Sequence, residues 1–319
     1  MKQKLVIGAA LVLLFAVIAV MSFDLFKKDN NELNQYEYDL KKFKQVDSNL
    51  ICYREDYQIK PKISKLLGIA IDKSDNIFVT ADNKVIEYNS RLDSIKSFSV
   101  DGSAGCLAIG KDGKLYLGFK KHLEIWDSKG NLLKKWNDLA GIPYITSIAV
   151  DDSSIFLADA GNKIVHHFNF NGQLINQIGR KDPAKGIPGF FIPSPYFDVL
   201  LGHNNEVWAI NTGRHSFESY TKEGELITSF TKASMSIDGF SGCCNPTNVA
   251  MLSDGSFVTS EKGIERVKIH QANGDFKCVV AASDQFIEGT TGLDLAVDSK
   301  DHIYVLDPEK GMIRIFVKK

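Results

Sequence analysis

Residues 147–168 read SIAVDDSSIFLADAGNKIVHHF. One short apolar run ends in an Asp-rich turn, a second ends at Asp159, and a third ends at Asn169 before the turn Phe170-Asn-Gly172. Apolar side chains at a period of two, in short runs bounded by Gly, Asn and Asp, specify antiparallel strands joined by tight turns. The unit recurs. LGIAIDKSDNIFVTADNKVIEYN from Leu67 and GCLAIGKDGKLYLGFKKHLEIWD from Gly105 align with ITSIAVDDSSIFLADAGNKIVHHFN from Ile145 within a residue or two, and longer, looser copies start at Phe197, Val249 and Leu293. A repeat of about 40–50 residues, each copy a four-stranded meander, is the period of propeller blades and too long for most helical solenoids. The predicted fold is all-β, a six-bladed β-propeller of four-stranded antiparallel blades spanning residues 49–319.

The last copy runs out at Phe316-Val-Lys-Lys319 after three strands. Its fourth has to come from elsewhere, and Asn49–Lys60 (NLICYREDYQIK) is an orphan strand-like run ahead of the first copy. Pairing Asn49–Lys60 with Met312–Val317 closes the ring and removes an open sheet edge. The G-I-A-V-D, I-Y-V-A-D and R-I-x-x-F pattern, carried best by Ser147–Phe168 and by LAVDSKDHIYVLDPEKGMIRIF from Leu295 to Phe316, resembles the NHL-repeat family of β-propellers from about residue 60 onward. That resemblance implies the fold. It leaves function open, because such propellers include lyases, hydrolases and binding proteins.

Ahead of the repeats, Lys2 and Lys4 precede the uncharged apolar run Leu5–Phe23, LVIGAALVLLFAVIAVMSF, long enough to cross roughly 30 Å of hydrocarbon as a helix. Residues 1–23 therefore read as an uncleaved signal anchor, with a cleaved signal peptide as the alternative, since Val17-Ile-Ala19 and Val20-Met-Ser22 are weak cleavage sites. Residues 24–48 are a polar tether. With no second span after it, the propeller is expected on the extracytoplasmic side, periplasmic or extracellular, held to the membrane by the N-terminal helix. The formal charge of -1 on 319 residues, with 24% charged side chains, argues against an electrostatic nucleic-acid binder.

Chemistry is sought in the second-to-third strand turns and in the loops entering each blade, which share one face around the central channel. Blades one to three have bland turns, Ala81-Asp-Asn83, Gly118-Phe-Lys120 and Ala158-Asp-Ala-Gly-Asn162. Blades four and five carry Asn211-Thr-Gly-Arg-His215 and Ser260-Glu-Lys-Gly263, entered through Gly189–Tyr196 and Phe240-Ser-Gly-Cys-Cys-Asn-Pro246. The candidate site is thus Tyr196, Asn211, Arg214, His215, Glu218, Cys243, Cys244, Asn245, Glu261 and Lys262, all expected around one pocket between these blades. The adjacent cysteines admit three readings: ligands for a soft metal such as Cu(I) or Zn(II) beside His215, a vicinal disulfide, or small side chains packed at a turn. Arg214 and Glu218 read equally as a structural ion pair. Cys52, Cys106 and Cys278 read as packing.

Peptidyl-hydroxyglycine amidating lyases resemble this fold and hold zinc with three histidines near the channel. Here only His215 is well placed, which argues against that activity. Gluconolactonase-like propellers use carboxylates and amides around a divalent cation, a set that Glu218, Glu261, Asn211 and Asn245 could mimic. No G-x-S-x-G element, P-loop or H-E-x-x-H motif is present. The leading expectation is a tethered propeller binding a small ligand or protein partner at its channel face, in a redox or metal-handling system. The alternatives are a lactonase- or lyase-like enzyme with a divalent cation in the channel, and a passive assembly scaffold.

Overall fold

The computed structural model describes residues 40–319 apart from Ser64, together with Val17 and Ile18. The blades lie within the compact unit Lys41–Lys319. The predicted anchor (but for Val17 and Ile18) and the tether up to residue 39 lie outside the described residues. Among those described, no helix is long and apolar enough to cross a membrane.

The repeats fold as the alternation requires. After a one-turn helix α1 (Lys41–Lys44) comes β1 (Tyr53–Ile59), then blade one, β2 (Leu66–Ile71), β3 (Ile77–Ala81), β4 (Lys84–Tyr88) and β5 (Ser94–Ser99). Blade two is β6 (Cys106–Ile109), β7 (Leu115–Gly118), β8 (Leu123–Trp126) and β9 (Leu132–Lys135). Blade three is β10 (Ile145–Val150), β11 (Ser154–Asp159), β12 (Ile164–Asn169) and β13 (Leu174–Ile178). Blade four is β14 (Val199–Leu201), β15 (Val207–Asn211), β16 (Ser216–Tyr220) and β17 (Leu226–Thr231). Blade five is β18 (Asn248–Met251), β19 (Phe257–Glu261), β20 (Arg266–His270) and β21 (Phe276–Ala281), and blade six begins with β22 (Asp294–Val297), β23 (Ile303–Asp307) and β24 (Met312–Lys318). Every pairing is antiparallel, and the sixth sheet has the order β1-β24-β23-β22.

The orphan strand therefore closes the ring as expected, with Ile59 opposite Ile313 and Tyr53 opposite Lys318. Arg314 fixes this closure with a bidentate pair on Glu55, Nε to Oε1 at 3.0 Å and Nη2 to Oε2 at 2.6 Å, geometry that suits the planar guanidinium fork. Each turn between third and fourth strands places one residue at positive φ, glycine in four of the blades (Gly130, Gly172, Gly224 and Gly274) and Leu92 in blade one. A side chain there costs free energy that glycine avoids.

The core is divided into wedges. One apolar cluster fills the space between each neighbouring pair of sheets, such as Phe78, Leu107 and Leu117 between blades one and two, or Phe217, Phe240 and Phe257 between blades four and five. A strand buried on both faces, like β11 or β15, carries a continuous apolar run (Ile155–Ala158, Val207–Ile210) ending in one polar residue, which is why the second strands stand out in the sequence.

One sequence expectation is overturned here. Cys52 and Cys278 are bonded to each other, with Cα atoms 6.0 Å apart. The segment leading into β1 crosses from the rim of blade six to that of blade five, where Ile51 forms a parallel bridge with Val279 and the Cys52 amide donates to the Val279 carbonyl at 3.0 Å. That bridge sets the two cysteines side by side. Only Cys106 keeps the packing role expected of all three, buried so closely against Gly118 that a Cβ on that glycine would collide with its sulfur.

Because the bond spans 226 residues, it constrains the unfolded chain strongly. Non-reducing peptide mapping should recover Cys52 joined to Cys278, and the Cys52→Ser/Cys278→Ser protein should lose about 2–4 kcal/mol in denaturant titrations. Equal stability of that variant and the oxidised parent would contradict the assignment.

Candidate functional site

Three of the ten candidate residues, Asn211, Glu218 and Glu261, belong to the blades themselves, and a fourth, Arg214, stands apart from the rest. At the upper end of each blade from three to six, the last residue of the second strand pairs with the third-strand residue seven positions on. Asp159 Oδ2 and His166 Nε2 are 3.0 Å apart, and Asn211 Nδ2 donates to Glu218 Oε1 at 2.8 Å. Lys268 Nζ lies 2.6 Å from Glu261 Oε1, and Arg314 Nη1 lies 3.8 Å from Asp307 Oδ2. These are one polar slot repeated round the ring. Asn211 also accepts from the Phe191 amide at 2.9 Å, and Glu218 also accepts from Ser216 Oγ and Tyr220 Oη. Glu261 is buried beneath Arg266, whose Nε is 2.5 Å from its Oε2. Asn211, Glu218 and Glu261 thus anchor loops from inside the blades and are not channel ligands. Arg214 does not pair with Glu218. It is exposed and lines a cleft between blades three and four.

The other six do converge on the blade four and five sector of the upper face. Cys243 is exposed, Cys244 is fully buried, both are free, and their sulfurs are 3.1 Å apart. Ser194 Oγ, from the loop entering blade four, donates to Cys244 Sγ at 2.7 Å. Burial raises the Cys244 thiol above its usual range, with the Lys262 charge acting against that rise. Asn245 ties the loop down: its Nδ2 donates to the Ser241 and Lys262 carbonyls at 2.7 and 3.0 Å, and its Oδ1 accepts from the Lys262 amide at 3.0 Å. His215 Nδ1 sits 2.8 Å from the Asn245 carbonyl, so the imidazole buttresses the loop backbone. Lys262 Nζ stacks 4.6 Å over the Tyr196 ring, and Tyr196 reaches the mouth of the central channel. The Asn245–Pro246 peptide is cis.

The channel holds polar chemistry that the sequence reading missed. A cavity of about 320 Å³ is lined by the start of each inner strand. Structurally equivalent positions there carry Gly68, Cys106, Ser147, Asp198, Asn248 and Asp294, a column visible in the aligned repeats. Asp198 accepts from Ser147 Oγ of blade three, from its neighbour's amide (Val199) at 2.9 Å, and from Val249 N of blade five at 2.7 Å. Asp294 accepts from Asn248 Nδ2 of blade five at 3.1 Å, from Leu295 N at 2.9 Å, and from Ile69 N of blade one at 2.9 Å. Burial pushes the Asp198 carboxyl up to about 6, and burial together with the Asp198 charge pushes Asp294 up to about 7. Asn248 Oδ1 is buried with no hydrogen-bond partner among the described residues. Among the described residues no three His, Cys, Asp or Glu side chains gather as a metal-binding group.

This geometry defines a six-bladed β-propeller with its reactive side chains on one face. No family model matches the chain, and no curated protein sequence does. Among solved structures it is similar to a streptogramin B lyase, with a TM-score of 0.61 at 12% identity over 84% of this chain and 98% of that one. It is also similar to a catalytically inactive variant of virginiamycin B lyase from Staphylococcus aureus with quinupristin, TM-score 0.56, 12% identity, covering 82% and 83%. A protein of unknown function from Bacteroides thetaiotaomicron gives 0.59 at 13% identity, covering 83% and 73%. At such identities the likeness is one of fold.

Two outcomes separate architecture from chemistry. Glu261→Gln leaves Lys268 and Arg266 buried against a neutral amide and should cost about 3–5 kcal/mol in denaturant titrations; a loss below about 1 kcal/mol would show the slot to be dispensable. A carboxyl whose folded pKa exceeds its unfolded value favours folding below about pH 4 and loses that advantage as pH rises through the folded pKa. The stability of the parent relative to Asp294→Asn should therefore fall between pH 5 and pH 8, by on the order of 1–3 kcal/mol. A difference that stays flat across this window, measured by paired melts, would contradict the raised carboxyl.

Proposed function

We propose that the chain is an exported, membrane-tethered propeller of the NHL type that binds a ligand or protein partner at the channel face of blades four and five through the Cys243–Cys244 thiol pair, within a redox or soft-metal system. The observation that carries this reading is the pair itself: two free sulfurs 3.1 Å apart, one exposed and one buried, on a loop pinned by Asn245. Soft thiolate donors suit Cu(I), and an exposed thiol beside a second one suits disulfide exchange. In exchange, the Cys243 thiolate would attack a partner's disulfide and release one partner sulfur as a thiol. Cys244 would then close on Cys243, and the second partner sulfur would leave as a thiol. The Cys52–Cys278 bond and the apolar N-terminal run support an oxidising, extracytoplasmic setting.

A second reading is a lyase-like enzyme with a divalent cation in the channel. The fold likeness to streptogramin B lyase favours it, as does the partnerless Asn248 Oδ1, which with Asp198 and Asp294 would form a hard oxygen donor set. Stoichiometric divalent metal surviving dialysis would favour this reading over the first.

The thiol reading is tested on the full chain in detergent, by titration with Ellman's reagent and by competition for Cu(I) against bicinchoninate. Cys243 should react readily, and Cys243→Ser/Cys244→Ser should abolish Cu(I) retention and exchange with a model disulfide while stability changes by no more than about 1–2 kcal/mol. Thiols that resist labelling in the folded protein, together with a double variant several kcal/mol less stable, would make these cysteines core packing.

A further inference from the structure

One blade away from the thiol pair, a cleft of about 860 Å³ opens on the same face between blades three and four. Its walls come from the second-to-third strand turns of both blades and from the long connection between them. Lys163 stands on the first turn, Arg180 and Lys181 on the connection, and Arg214 on the second turn. All four are exposed, none makes a side-chain hydrogen bond or ion pair among the described residues, and no Asp or Glu lines the cleft. Several cations elsewhere are neutralised locally, Lys44, Lys111, Lys135, Lys222 and Lys277 each lying against a carboxylate. On a chain of formal charge -1, four uncompensated cations round one concavity form a local positive field that low-dielectric walls focus.

The walls are also built to hold their shape. The Gly213 amide donates to the Phe191 carbonyl at 2.9 Å, and the Phe191 amide donates to Asn211 Oδ1 at 2.9 Å, which fixes Arg214 and Phe191 relative to each other. Across the cleft, Asn162 Nδ2 donates to the Ala140 carbonyl at 3.0 Å. The floor carries buried His166, bonded to Asp159 and 3.4 Å from Gln177 Nε2. Phe191 is 51% exposed, an apolar plate beside the cations.

We infer that this cleft binds a small organic polyanion, one carrying two or more carboxylate, phosphate or sulfate groups, with an apolar face laid against Phe191. Arginine forks grip such groups bidentately, and the volume lies in the range of small-ligand pockets, roughly 300–1,000 Å³. The cleft is separate from the thiol pair, and the inference stands or falls without it.

The test is calorimetric titration of the full chain in detergent at low salt with three probes: citrate, pyrophosphate and 1-naphthyl phosphate. At least one should bind saturably, and more weakly as salt is raised. Arg180→Ala/Arg214→Ala should lower that affinity at least ~10-fold, while Lys73→Ala, on the opposite face, and Cys243→Ser/Cys244→Ser leave it unchanged. Preference for citrate or for pyrophosphate distinguishes a carboxylate ligand from a phosphate one, and a gain for 1-naphthyl phosphate that Phe191→Ala removes identifies the apolar contact. Absence of saturable binding by all three probes, or unchanged affinity in the arginine double variant, overturns the inference.

Discussion

Asp198 and Asp294 hold the inner ring together. A propeller's inner strands converge on an axis where side chains are too crowded for a conventional core, and the strand ladders there run only within each sheet. Each of these two carboxylates crosses that gap in both directions. Asp198 joins blade three to blade five through blade four, and Asp294 joins blade five to blade one through blade six. Two acidic side chains thus connect five blades. Burying them is costly, as their raised pKa values record, and the cost is tolerable because each accepts three hydrogen bonds. Gly68 of blade one and Cys106 of blade two complete the ring by close contact: a Cβ at Gly68 would lie 3.2 Å from the Cys106 Cα.

The closures at the rim are of a different kind. Blade six borrows β1 from the start of the repeat region, and the Arg314–Glu55 fork and the Cys52–Cys278 bond then fasten that strand to blades six and five. The inner ring sets how the wedges meet, and the rim stops the ring from opening at the one place where the chain is not continuous. Apolar clusters between the sheets supply the bulk of the burial, but they are nondirectional and would fit a splayed ring nearly as well.

The fold was legible because period-two burial and the Gly, Asn and Asp turns repeat in every blade, so errors in one copy are corrected by the others. Closure by Asn49–Lys60 was legible by counting strands. The disulfide was not legible, because the contact between Cys52, just ahead of β1, and Cys278 in β21 depends on a single parallel bridge at Ile51 that has no repeat to announce it. The site was half legible. Unusual loops marked the blade four and five sector, and Tyr196, His215, Cys243, Cys244, Asn245 and Lys262 do gather there. Asn211, Glu218 and Glu261 misled because a polar residue at the end of a second strand, or its third-strand partner, looks like a ligand until the seven-residue pairing is seen in four blades at once.

Why the thiol pair and the unpaired cations gather on neighbouring connections follows from the same constraints. Each wedge must match its neighbours and each inner strand must meet the ring, so the sheets leave little room for variation. The connections between blades are free to differ, since their ends are fixed by the strands and loop length costs little entropy. The connections into blades four and five are the ones that grew, carrying Arg180 to Tyr196 and Phe240 to Pro246. Growth alone would give mobile loops, yet these are pinned to the polar slots beneath them: Asn211 accepts from Phe191, and Lys268, the partner of Glu261, donates to the carbonyls of Ile237 and Gly239 at 3.1 Å and 2.5 Å. The slots of blades three and six hold their shorter entering connections in the same way, Asp159 accepting from the Tyr144 amide at 2.9 Å and Arg314 donating to the Gln285 carbonyl at 2.8 Å. The cationic cleft and the thiol pair can therefore stand side by side on rigid supports without disturbing the ring that carries them.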